Sequence, residues 1–157
     1  MAPPVLILGF GNILLGDDGA GVHFVAQLSR GLAAGCADCI DAGTMSFSLL
    51  SYVEEAEALM IVDAAELGSS PGTVQLFEGP TMDGFLAGPR RRSVHEVGLI
   101  DLLDMARLRG ALPERRALLC IQPALIDWSE SLSPAVTAAL PQADHEARGL
   151  LQRWCTA

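Results

Sequence analysis

Four side chains in this sequence stand where chemistry is done in α/β proteins, each placed at the end of an apolar run or at the start of a helical one. Asp18, with Asp17 beside it, closes the glycine-rich stretch VLILGFGNILLGDD, Asp41 follows CADCI, Asp63 follows ALMIV, and His95 lies in the segment SVHEV that opens a helical pattern. Carboxylate oxygens and one neutral imidazole suit a borderline divalent ion such as zinc, nickel or cobalt, and three protein ligands leave coordination positions open for water or substrate. Taken singly, each residue also has an ordinary use. One of two adjacent aspartates caps a helix, Asp63 can do the same, and His95 can sit on the surface of a first turn.

The elements that must position these residues alternate along the chain. Val5 to Leu8 reads as a strand buried on both faces, and Val22, Val25, Leu28 and Leu32 follow at near-helical spacing. Ala37 to Ile40 predicts a second short strand, with a helical stretch from Met45 to Val53, and Ala58 to Val62 predicts a third strand ending on Asp63. After a turn at Ser69 to Gly72, Thr73 to Phe77 alternates like an edge strand, and Gly79 to Arg92 reads as a loop rich in glycine, proline and arginine. Ser93 and Glu96 match a capping box ahead of Val97, Ile100, Leu103 and Ala106, which fixes His95 in a first turn. Ala117 to Gln122 is the last buried strand, and Ser133-Pro134 opens a C-terminal helix in which Pro141 marks a kink or break. This order predicts a single-domain α/β three-layer sandwich over residues 1–157, a mostly parallel sheet of about five strands with helices on both faces. Right-handed crossovers then bring Asp18, Asp41 and Asp63 to one sheet edge, with His95 able to join them.

Composition removes several function classes. The sequence has no lysine, its ten basic residues all being arginine, so a Schiff-base lysine and a P-loop lysine are both excluded. A formal net charge of −9 disfavours nucleic acid and anionic membrane surfaces as partners. No uncharged apolar run reaches the roughly eighteen residues of a membrane span, and a cytoplasmic protein is expected. Cys36 and Cys39 form a lone C-x-x-C that reads as two structural thiols, without the second pair that a zinc ribbon needs. Leu14 replaces the third glycine of a dinucleotide fingerprint after Gly9 and Gly11, and neither G-x-S-x-G nor H-E-x-x-H occurs. Arg90, Arg91 and Arg92 read as a solvated loop whose closeness to His95 suits a carboxylate-bearing substrate.

At GFGNILLGDDGAGV, IDAGTMSFSLL, LMIVDAAELGSSPGTV, SVHEVGLIDLLDMARLRG and the late IQP, the chain resembles the nickel–iron hydrogenase maturation endopeptidases, almost from end to end. The resemblance implies an enzyme that removes the C-terminal extension of a hydrogenase large-subunit precursor after nickel insertion, cutting beyond a basic residue. It also implies a metal site built from Asp18, Asp63 and His95, which serve as both catalytic and metal-contacting residues. Relatives often carry glutamate at the position of Asp18, and Asp41 matches the family's D-x-G-T motif in a supporting role. The nickel on this reading is carried by the substrate, and zinc or cadmium can occupy the same site. The expected partner is the large-subunit precursor, with no nucleic acid, no membrane insertion and a monomeric enzyme. Two rivals stand beside it: a non-catalytic nickel-sensing or chaperone module for the large subunit, and a nucleotide-binding α/β domain that uses the glycine turn.

Overall fold

The computed structural model describes residues 5–89 and 94–156, with the side chains of residues 94–96 outside the description. Strand β1 (Val5–Phe10) leads through a 3-10 turn (Gly16–Gly19) into helix α1 (Ala20–Gly31), followed by β2 (Asp38–Gly43), α2 (Leu50–Glu55) and β3 (Ala58–Ala64). Then come β4 (Val74–Glu78), α3 (Pro80–Ala87), α4 (Val94–Leu108), β5 (Arg115–Ile121) and α5 (Pro134–Thr156). The five strands form one sheet in the order β2-β1-β3-β5-β4, with β4 alone antiparallel, at an edge. This is the mostly parallel α/β sandwich expected from the alternation.

Strand alternation sorts the core into two layers. Val5, Ile7, Met60, Val62, Leu119 and Ile121 pack with α1 and α5. Leu6, Leu8, Leu59, Ile61 and Leu118 pack with α2, α3 and α4 on the other side. Every residue of β1 and β3 is buried, which explains their uninterrupted apolar runs.

Helix α1 approaches the sheet closely at Gly21, where a Cβ would fall 2.2 Å from the Val62 carbonyl oxygen and 2.6 Å from that of Phe10. The close helix–strand packing that a dinucleotide fold draws from its third fingerprint glycine is thus supplied here by Gly21, beyond an inserted loop and turn.

Several boundaries differ from expectation. Segment 79–92 is not a continuous loop, because Pro80 starts α3 at its first position, and Met82 and Leu86, four residues apart, bury against the second core layer. Strand β2 extends to Gly43, so Asp41 lies within it, and Asp63 likewise lies inside β3. Helix α5 runs on through Pro141. Its start is as expected, with Ser133 Oγ accepting from the Val136 N–H at 3.3 Å. Ser93, half of the expected capping box, lies outside the described residues, as do Arg90, Arg91 and Arg92, and the Glu96 side chain is also outside the description.

Candidate active site

The turn after β1 is held by its own polar groups. The Gly11 N–H donates to Gly43 O at 2.8 Å, the Leu14 N–H to Asn12 Oδ1 at 2.9 Å, and the Asn12 N–H to Asp18 Oδ2 at 2.9 Å. Gly11 has φ +127°, and a Cβ there would fall 1.8 Å from the Asp18 carbonyl oxygen, so only glycine lets the turn fold back on itself. Asp18 is 5% exposed, and its carboxylate is oriented by the Asn12 N–H.

The neighbouring aspartate has a different use. Asp17 is fully buried, with Oδ2 accepting from the N–H groups of Ala124 (2.9 Å) and Leu125 (3.2 Å) and Oδ1 from that of Ser133 (2.7 Å). Burial raises its pKa, but the bonds from Ser133, Ala124 and Leu125 outweigh burial and hold the carboxyl below its ordinary value. Neither aspartate caps a helix: no side-chain cap bond starts the 3-10 turn or α1. The capping expectation fails because the spare N–H groups of the loop after β5 compete for Asp17, and that of Asn12 for Asp18.

Asp63 is 2% exposed and paired in register with Cys120 of β5. Val62 is level with Gly9, so Asp63 stands beside the end of β1, on the pleat that Leu59 and Ile61 share toward α2–α4. Helix α4 meets this edge too: a Cβ at Gly98 would fall 3.1 Å from Cβ of Ser46, in the loop after β2, so the first turn that contains His95 lies at the carboxyl end of the strands. The His95 side chain is outside the described residues. Among the described residues no three His, Cys, Asp or Glu side chains gather closely enough to hold a metal ion. Asp41 is exposed on edge strand β2 and level with Gly9, on the pleat facing away from that of Asp63.

Buried carboxylates at the mouth of a glycine turn favour cations and repel phosphate, which argues against the nucleotide-binding alternative. The arrangement matches known proteins over nearly its whole length. A family model described as hydrogenase maturation protease matches residues 22–148. The chain belongs to the hydrogenase maturation protease family. It is 37% identical to the hydrogenase expression/formation protein HupD of Rhodobacter capsulatus, over 96% of this chain and 72% of that one. It is 30% identical to the hydrogenase 2 maturation protease of Escherichia coli (strain K12), over 88% and 85% of the two chains. Among solved structures, the hydrogenase maturating endopeptidase HybD from E. coli superposes with a TM-score of 0.88 at 28% identity, over 98% and 93%. The maturation protease HybD from Thermococcus kodakarensis gives 0.80 at 30% identity, over 96% and 99%.

Two contributors to this protease's site escape a reading of sequence alone. Asn12 is one, an asparagine whose side chain folds its own turn while its N–H orients Asp18; an Asn two residues beyond a strand is the signal that could have found it. Gln122 is the other. Buried at the end of β5, it accepts from the Leu67 N–H at 2.6 Å and donates to Glu66 Oε2 at 3.1 Å, anchoring the loop that follows Asp63.

The cysteine pair stands apart from this site. Cys36 is exposed, and Cys39 packs against the α1–α5 layer, where burial and then the Asp38 charge raise its thiol pKa. A raised pKa fits a structural thiol.

Proposed function

We propose that this maturation protease removes the C-terminal extension of a nickel–iron hydrogenase large-subunit precursor after nickel insertion, and that Asp18, Asp63 and His95 contact the nickel the precursor carries. The observation that carries the reading is the burial of Asp18 and Asp63 at the same end of β1 and β3, with the first turn of α4 arriving at that edge. Two hard oxygen donors and one imidazole fit a borderline divalent ion, and such a set does not choose nickel over zinc or copper by affinity. Selectivity then comes from delivery or from coordination geometry: the ion arrives already seated in the substrate.

Nickel within the precursor supplies Lewis acidity beside the scissile bond. The chain's own groups do the rest. Asp18, held by the Asn12 N–H, and Asp63, fixed within a strand, orient the nickel-bearing segment and accept the proton of the attacking water. Asp41, on the opposite pleat, enters no step of this scheme and borders the mouth in a supporting position.

Turnover on purified precursor separates this reading from a chaperone that only holds the large subunit. The wild-type chain should convert many equivalents of nickel-loaded precursor to a single shorter product by mass. Stoichiometric binding with no change in precursor mass would overturn the protease reading.

A further inference from the structure

Outside the site, the loop between β5 and α5 combines a fixed backbone with exposed apolar side chains. Residues 124–131 are zipped onto the turn that carries the aspartates: the Gly16 N–H donates to Ser129 O at 2.8 Å, the Ser129 N–H to Leu14 O at 3.0 Å, and the Asp17 N–H to Leu125 O at 3.2 Å. Asp17 clamps the same loop from below through Ala124, Leu125 and Ser133. Although firmly held, the loop turns large apolar side chains to solvent. Trp128 is 78% exposed, Leu125 62% and Ile126 52%, and Ile13 and Leu14 across the zipper are nearly half exposed. A rigid backbone presenting adjoining aliphatic and aromatic groups is the usual make-up of an interaction surface.

Charge says what sits on it. Asp127 and Glu130 stand exposed within the loop. The arginines among the described residues lie toward the other edge of the sheet, in the last turns of α1, α4 and α5, just beyond α4, at the start of β5, or, for Arg148, within α5 where it donates to Gly31 O at the end of α1. The surface is therefore apolar with an acidic border, and it is continuous with the turn that carries Asp18.

We infer that this loop, with Ile13 and Leu14, is a docking surface for a segment of the precursor bearing apolar and positively charged side chains, which it feeds toward Asp18 and Asp63. The inference rests on the proposed protease reading and specifies its substrate recognition. Docking of this kind acts on KM and leaves kcat alone, because the loop touches no reacting atom.

The test uses nickel-loaded precursor. Trp128→Ala should raise KM about tenfold or more with kcat unchanged, and Ile126→Ser should do the same more weakly. Both sites are exposed, and circular dichroism checks that the variants are folded. Asp127→Asn combined with Glu130→Gln should flatten the rise of KM with salt. In a Trp154→Phe background, emission from Trp128 should shift to the blue when precursor binds. Active wild type with unchanged KM in Trp128→Ala and no emission shift would overturn the docking surface while leaving the protease reading intact. An emission shift on binding without any cleavage by wild type would overturn the protease reading and keep the surface. Self-association that covers Trp128 before precursor is added would assign the patch to a second copy of this chain and overturn the inference.

Discussion

The two edges of the sheet treat their carboxylates differently. At the amino edge, acids meet guanidinium groups: Asp83 binds Arg116 at 2.6 Å and Arg107 at 3.5 Å, Glu78 binds Arg153 at 3.1 Å, and Glu54 binds Arg109. At the carboxyl edge, Asp17 and Asp18 accept from backbone N–H groups. An ion pair neutralises a carboxylate, whereas an N–H bond fixes its direction and keeps its charge. The first arrangement fastens α3 to the start of β5, α4 to α3 and α2, and α5 to the end of β4. The second leaves oriented negative charge where a cation-bearing substrate can use it.

The largest effect expected from breaking this contrast is on activity. Asp63→Asn keeps the shape of the side chain and removes its charge, so cleavage of nickel-loaded precursor should fall about a hundredfold or more, with precursor binding and melting temperature little changed. Asp18→Asn should follow it. Retained activity in both variants would move the chemistry away from this edge.

Gly21→Val tests the scaffold that both edges share. Its side chain meets the carbonyl oxygens of Val62 and Phe10, which belong to buried strands and cannot retreat. A loss of about 3 kcal/mol is expected, read as a fall in melting temperature of roughly 6–12 °C. A normal melting temperature would mean that α1 can lift from the sheet.

Asp17→Asn sharpens the comparison within the aspartate pair. The folded-state pKa of Asp17 is depressed, so its stabilisation is present above its ordinary value of 3.8 and is lost as pH falls through the lower, folded value. The variant should be about 2 kcal/mol less stable at pH 7, and the gap should close in that acid window. A gap that stayed constant with pH would show that the Asp17 charge is not what holds the loop.

The smallest effect belongs to Cys36→Ala with Cys39→Ala, near the amino edge. Stability should drop by about 1 kcal/mol with cleavage intact. Lost activity at an unchanged melting temperature would reveal a functional thiol pair.

Much of this contrast was legible in the sequence, and the limits have physical causes. β1, β3 and β5 show as continuous apolar runs because both their faces are covered, and the helical spacing after Val97 places His95 in a first turn. Helix α3 was hidden because Gly79, Pro80 and Gly84 carry loop signals, although Pro80 starts a helix and the burial of Met82 and Leu86 fixes its inner face. The adjacency of Asp17 and Asp18 was plain, but not which one does what, since the partners of Asp17 lie more than a hundred residues away. Gly21 could not be recognised as the close-packing glycine because its partner carbonyls belong to β1 and β3, and the contact exists only once α1 has crossed them.

The proposed reading of a substrate-borne metal by oriented charge at the carboxyl edge is open to a single assay. Wild-type chain is incubated with precursor in apo, zinc-loaded and nickel-loaded forms, and the mass of the large subunit is followed over time. Cleavage confined to the nickel-loaded form, and abolished there by His95→Ala in a variant that melts normally, is the predicted result. Equal cleavage of all three forms would contradict it, and Asp18, Asp63 and His95 would then serve a protease that does not sense nickel.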